Sequence, residues 1–233
     1  MTDKNMPYPK FDYDTYSRSC APNDFCGQVR RTVRGVPVSE DQINMIVDAI
    51  RSALKLKPSD TLLDIACGNG ALSHLVFDSC ARYLGVDLSE HLISIAKENF
   101  ESMPNYEFMQ QGAAEYVRLE SQPERFSKVL CYGSFPYFSA ADAGEVLRTL
   151  SEKFRNVENV FIGNLPDKDR AEEFYKRPPN TDELADCYSQ IGIWRTRDEF
   201  VRLAEDAGWK VKCSTMPADF YSSYYRYDAL LSR

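Results

Sequence analysis

A glycine-rich turn and a distant acid carry the first recognisable chemistry in this sequence. From Leu62 the chain reads Leu62-Leu63-Asp64-Ile65-Ala66-Cys67-Gly68-Asn69-Gly70-Ala71-Leu72. An apolar run enters a turn with two glycines and leaves it through small and apolar residues. Glycine belongs where a backbone must turn tightly and approach a ligand closely. Farther on, Gly85-Val86-Asp87-Leu88-Ser89 puts an acid at the end of a second apolar run. A carboxylate there can accept hydrogen bonds from both hydroxyls of a ribose. The interval from Gly68 to Asp87 matches the roughly 20-residue spacing of that arrangement. These residues describe a nucleoside site. A third group is cationic: Arg30, Arg31 and Arg34 fall close together upstream. An arginine fork suits a carboxylate, and a solvated basic turn is the competing reading.

The elements that must hold these residues alternate from about Leu56 onward. Strands are predicted at 61–66, 83–86, 106–109, 128–132 and 157–163, each an apolar run of strand length. Between them, apolar residues recur at helical spacing. Ala71, Leu72, Leu75 and Val76 give one face. Leu92, Ile93, Ala96 and Phe100 give another, with Ser89 as its N-cap. Ser139 opens a third, with Ala143, Val146, Leu147, Leu150 and Phe154 facing inward. Such alternation predicts a mostly parallel seven-stranded α/β sheet with helices on both faces. An insertion at about 164–190 interrupts it, with a helical piece near 171–176. Thr196 and Glu199 form a capping box before Phe200, Leu203 and Ala204. Two last strands, 209–215 and 224–231, are expected to pair antiparallel. Ser39 and Gln42 predict a second capping box, before a helix whose inner face is Ile43, Ile46, Val47, Ile50 and Leu54.

With that order of elements the sequence resembles the class I, Rossmann-like S-adenosylmethionine-dependent methyltransferases. The wording of the resemblance is confined to 62–72 and 85–96. The family's first motif, acid-x-Gly-x-Gly-x-Gly, appears here as Asp64-Ile65-Ala66-Cys67-Gly68-Asn69-Gly70, with Ala66 in place of the first glycine. The resemblance implies S-adenosylmethionine as cofactor. Asp64 would organise the loop and reach toward the methionine amino group. Ala66, Cys67, Gly68 and Gly70 would supply the loop's contacts, Asp87 would hold the ribose, and Leu88 would cover one face of the adenine. After the third strand the family often reads Gly-Asp-Ala; this chain reads Gln111-Gly112-Ala113-Ala114-Glu115. Ala113 stands where the adenine-contacting acid would be. The Ala114 amide remains a donor to the ring, and Glu115 or Gln111 are possible substitutes. Cys131, at the end of the fourth strand, would lie beside the cofactor. A nicotinamide-binding rival requires glycine at position 73, which is Ser73.

The acceptor would sit beside the end of the fourth strand, where the chain reads Ser134-Phe135-Pro136-Tyr137. That is one residue short of the signature of methyltransferases acting on planar amino groups, since Phe135 replaces its first proline. Oxygen methylation of a hydroxyl needs a base within reach. Tyr16 and Tyr137 are candidates, and nothing singles one out. The expected reaction is O-methylation of a small acceptor, a sugar-type or secondary-metabolite hydroxyl. N-methylation of a small amine and a non-catalytic cofactor-binding partner are the alternatives. No metal is expected. Residues 1–38 are expected to form a helical lid over a domain spanning 39–233. Arg31 would grip the cofactor's carboxylate, with Arg30 and Arg34 competing, and Tyr13 or Tyr16 would close over the methyl.

Bulk properties narrow the classes. In 233 residues, 43 % are hydrophobic, enough for a core without staples. The seven cysteines are odd in number and form no C-x-x-C pair, which argues against a disulfide or zinc framework. No apolar run approaches the ~20 residues that span a bilayer, and the first ten residues show no apolar signal core. The expectation is a cytoplasmic chain with no membrane partner. The net charge of −7 repels phosphate backbones, which predicts no nucleic-acid partner. Oligomeric state is open.

Overall fold

The computed structural model describes Tyr8 and residues 10–233. Its centre is a seven-stranded sheet: β3 (Thr61–Ile65), β4 (Arg82–Asp87), β5 (Tyr106–Gln110), β6 (Lys128–Tyr132), β7 (Asn159–Pro166), β8 (Lys210–Ser214) and β9 (Arg226–Ser232), in the order β5-β4-β3-β6-β7-β9-β8. The first five run parallel. β9 inserts antiparallel between β7 and β8, so the expected terminal pair forms with β9 as its inner member. Strand order reverses between β3 and β6, and that reversal opens a crevice at the C-terminal strand ends.

Period-two alternation sorts the side chains. Leu63, Ile65, Val129, Cys131, Val160 and Ile162 enter the larger core, with Phe126, Phe154, Phe200 and Trp209. That face is covered by α5 (Ala113–Leu119), α6 (Ala140–Lys153) and α9 (Arg197–Asp206). Leu62, Leu130, Tyr132 and Phe161 point to the other face. There α3 (Glu40–Leu54) buries Ile46, Val47, Ile50 and Leu54, and α4 (Glu90–Phe100) buries Leu92, Ile93, Ile95 and Ala96. α4 is capped by Ser89, and α9 opens on the predicted Thr196–Glu199 capping box.

Two local expectations fail. The helix after the glycine turn is a seven-residue 3-10 helix, Ser73–Ser79. The Ser39–Gln42 capping box does not form either, because Ser39 makes no side-chain cap bond. The Gln42 amide is drawn away to the segment before β9, donating to the Asp219 carbonyl and accepting from Tyr221 N–H at 2.8 Å.

The N-terminal segment is mixed: α1 (Tyr13–Ser19), α2 (Phe25–Gln28), and a hairpin of β1 (Thr32–Val33) and β2 (Val36–Pro37). Asp12 and Asp24 cap the two helices. Arg34 and Gly35 turn the hairpin with φ of 53° and 80°, the two positive values a tight two-residue hairpin turn demands. The insertion after β7 carries α7 (Ala171–Tyr175) and α8 (Thr181–Leu184). It makes its own small core from Ala171, Leu184, Ile191, Trp194 and Tyr225. No helix of the described residues is long and apolar enough to cross a membrane.

Candidate functional site

The loop after β3 builds one end of the site. Ala66 takes φ +59° and Gly68 φ +62°, so two left-handed residues reverse the chain within three positions. Ala66 holds this conformation against its Cβ, while its carbonyl accepts the Ser134 hydroxyl at 2.9 Å. Asp87 locks the loop from β4. One carboxylate oxygen accepts Gly68 N–H at 2.8 Å and the other accepts Ser89 N–H at 2.9 Å. Burial pushes the Asp87 carboxyl above the ordinary range, while those N–H groups pull it back. Behind the loop Asp64 is 2 % exposed and accepts from the hydroxyls of Ser73 and Tyr83. Burial raises its pKa to about 7 against those hydrogen bonds.

A cleft of about 2150 Å³ opens above these strand ends. Ordinary small-molecule sites occupy ~300–1,000 Å³, so it has room for two ligands side by side. Of the residues singled out from sequence, Arg31, Ala66, Cys67, Gly68, Asp87, Leu88, Ala114, Tyr16 and Tyr137 line it together. Asp64, Gly70 and Cys131 do not. Gly70 turns beneath aromatic rings, where an added Cβ would meet Phe108 at 2.8 Å. Cys131 is fully buried in the larger core, and burial pushes its thiol well up. Leu88 projects with 74 % of its surface exposed. No side chain caps α5, so the Ala114 amide at the cleft wall is not taken by a cap. Glu115 lines the cleft and Gln111 does not. The neighbouring Gln110 lines it, with its amide on the Leu88 carbonyl at 3.3 Å.

The N-terminal segment closes one side. Asn69, 1 % exposed, donates to the Phe25 carbonyl and to Gln28 Oε1 at 2.9 and 2.8 Å. Gln28, fully buried, donates in turn to the Ala21 and Pro22 carbonyls. α2 is thereby tied to the glycine loop through a buried polar lattice. Ser89 donates to Asp14 on α1 at 2.5 Å. Arg30 donates to the Gln190 carbonyl and lies 4.3 Å over the Phe11 ring. Arg34 is exposed in the hairpin turn. Arg31 makes no ion pair among the described residues, and its charge acts on Asp64, Tyr132 and Tyr221.

At the other end Tyr13 donates to the Tyr137 hydroxyl at 2.8 Å, and Tyr137 donates to the Gln190 carbonyl at 3.1 Å. Burial pushes the hydroxyls of Tyr13, Tyr16 and Tyr137 above their ordinary value. Gln190 thus joins the insertion to both the N-terminal segment and the loop after β6. Sequence reasoning missed Gln28, Asn69, Tyr132, Asn164 and Gln190. Their roles arise from contacts between distant segments, which no local period announces.

Residues 62–156 match a family model described as a methyltransferase domain, and the sheet order, glycine loop and strand-end acid agree with it. Over this stretch the chain carries a methyltransferase domain, similar to the class I S-adenosylmethionine-dependent methyltransferases. Among curated relatives, ribosomal RNA small subunit methyltransferase A of Pseudomonas syringae pv. tomato is 34 % identical over 94 residues, 40 % of this chain and 34 % of its own length. The chain therefore spans about a third of the length of that relative. Among solved structures, magnesium protoporphyrin IX methyltransferase from Synechocystis with bound SAH superposes with a TM-score of 0.59 at 18 % identity, covering 83 % of each chain. The small RNA methyltransferase HEN1 superposes with a TM-score of 0.61 at 18 % identity, over 84 % of this chain and 25 % of HEN1.

These relatives correct one expectation. The net charge predicted no nucleic-acid partner, yet RNA methyltransferases stand among the proteins this chain resembles. Net charge averages over the whole surface, whereas Arg30, Arg31 and Arg34 line the cleft itself, among acids as well as bases.

Proposed function

We propose that this chain transfers the methyl group of S-adenosylmethionine to an oxygen of a small acceptor held in the cleft. The observation that carries the reading is one continuous cleft with the Gly68–Asp87 clamp at one end and a tyrosine-walled chamber at the other. The residues present fit the cofactor. Asp87 keeps a lone pair on each carboxylate oxygen for the ribose hydroxyls. Leu88 and the Ala114 amide would flank the adenine. The backbone of Ala66, Cys67 and Gly68 would lie along the methionine, and Arg31 would take its carboxylate. Asp64, Gly70 and Cys131 act from behind, shaping the loop and the strand that carry these contacts. When bound, S-adenosylmethionine supplies an electrophilic methyl on a sulfonium. The protein's part is to align the nucleophile and exclude water.

The chemistry of the chamber bears on the acceptor. A sugar-type hydroxyl needs a base, but Tyr137 already donates its proton to Gln190, and burial keeps Tyr16 and Tyr137 neutral. An amine acceptor keeps only the lone pairs of the Ser134 hydroxyl as an anchor, because its proton is donated to the Ala66 carbonyl. An oxygen that is already ionised needs neither device.

The test is a cell-extract screen with isotopically labelled S-adenosylmethionine, followed by mass spectrometry of the labelled product. Label in a small molecule supports the proposal. Label in RNA alone moves the acceptor to nucleic acid. Absence of label in every pool, with the demethylated cofactor still bound, overturns the enzyme reading in favour of a non-catalytic partner.

A further inference from the structure

At the acceptor end a half-buried arginine has no ion-pair partner among the described residues. Arg226 opens β9 and lines the cleft. Its Nη1 donates to the Asn164 carbonyl, and its guanidinium lies 4.8 Å from the centre of the Tyr225 ring. Among the described residues it forms no ion pair. The carboxylate that feels its charge, Asp228, spends Oδ1 on Asn164 N–H at 2.7 Å. A cation withdrawn from water is costly to leave without an anion, and the remaining guanidinium N–H groups are donors only.

A second, independent orphan lies nearby. Tyr132 ends β6, is buried, lines the same cleft, and its hydroxyl has no hydrogen-bond partner. Burial pushes the hydroxyls of Tyr132 and Tyr221 up, while the charges of Arg31 and Arg226 pull both down. The charges of both arginines therefore reach the same two tyrosines. Arg31 serves the cofactor end in the reading above, which leaves Arg226 for the acceptor.

We propose that Arg226 and Tyr132 form the binding site for an oxyanion of the acceptor, a carboxylate or a phosphoryl-type group, and that an oxygen of this same group receives the methyl. This rests on the methyl-transfer reading above. A lone pair on that oxygen forms the new O–C bond as the C–S bond breaks. The electron pair of the broken bond stays on sulfur, so the sulfonium becomes a neutral thioether and the oxyanion loses one negative charge as it becomes an ester. No proton moves, in keeping with a chamber where no tyrosine is set as a base.

The test is calorimetric titration of wild-type, Arg226→Gln and Tyr132→Phe proteins with benzoate, methylphosphonate and the neutral benzamide. Each titration is run with and without the demethylated cofactor. Failure of the cofactor reading then shows as absent cofactor heat and leaves the anion result readable. Wild type should bind one of the two anions in preference to benzamide, and which one it prefers separates carboxylate from phosphoryl chemistry. Arg226→Gln should weaken that anion by about thirtyfold or more, as loss of one partner of a buried charge pair does. Tyr132→Phe should weaken it severalfold with the ring retained. Cofactor affinity and thermal unfolding should stay near wild type in both. Equal binding of anions and benzamide, or an anion preference kept in both variants, overturns the proposal. Arg226-dependent binding of a short RNA without binding of either small anion also overturns it.

Discussion

Replacing Asp87 by asparagine tests the cofactor end directly. Its two carboxylate oxygens accept backbone N–H groups from Gly68 and Ser89, at 2.8 and 2.9 Å. An asparagine amide has one oxygen and one NH2 group. Whichever way it turns, the NH2 faces a backbone N–H, and one anchor becomes donor against donor. The same rotation removes an acceptor from one ribose hydroxyl. A hydrogen bond to a charged acceptor is worth ~1.5–3 kcal/mol, so the demethylated cofactor should bind Asp87→Asn about ten- to a hundredfold more weakly. Asp87→Ala, which removes both acceptors, should lose at least as much. Calorimetric titration measures the change, with urea unfolding of each variant as the check on folding. Affinity within about twofold of wild type, in a protein that unfolds normally, would refute the assignment of the ribose to Asp87.

Four further outcomes are expected. Ala66→Gly should stabilise the chain by ~0.5–1 kcal/mol in urea unfolding, because φ +59° strains alanine more than glycine's extra chain entropy costs. Asn69→Ala should leave the buried Gln28 Oε1 without its donor, cost ~1–3 kcal/mol, and speed proteolysis within residues 13–35. In the wild type, bound demethylated cofactor should slow that same cleavage, and Arg31→Ala should lose the protection. Asp64 and Asp228 have pKa values raised from 3.8 to about 7 and about 6, chiefly by burial. A folded-state rise means the stability these groups contribute is fully present below about pH 4 and is lost as pH climbs to about 7. Asp64→Asn and Asp228→Asn should each flatten that slope in unfolding midpoints measured across the window.

The centre of the sheet was readable from sequence because its strands are buried on both faces, and such strands announce themselves as apolar runs. The glycine loop and Asp87 were readable because backbone conformation and strand ends are local properties. The residues that close the site were not. Gln28 and Asn69 look like ordinary polar loop residues until folding brings α2 onto the glycine turn. Gln42 had the spacing of a cap, but a partner 179 residues away, Tyr221 N–H, competed for its amide. The helix after Gly70 had a helical period, yet it winds as a 3-10 helix. Asp64, Gly70 and Cys131 sit within or beside the family motif, and burial places them behind the cleft rather than on its wall.

Net charge and local field disagree in this molecule. The chain has 35 acidic against 28 basic side chains, and that excess argued against anionic partners. Charges separated by more than the ~8 Å Debye length at physiological salt are largely screened, so the surface average says little about an enclosed chamber. Around the cleft Arg30 and Arg31 come from the N-terminal segment and Arg226 from the start of β9, and none is ion-paired among the described residues. Arg30 is held on a carbonyl and Arg226 on another, which fixes their positions without cancelling their charge. An anion entering the cleft therefore meets oriented cations in a poorly screened space, whatever the sign of the surface outside. The cofactor's carboxylate can satisfy Arg31, but it leaves Arg226, held on the Asn164 carbonyl and beside the Tyr225 ring, without an ion pair. A neutral acceptor would leave that charge buried beside it, whereas an acceptor bearing its own oxyanion removes the imbalance as it binds.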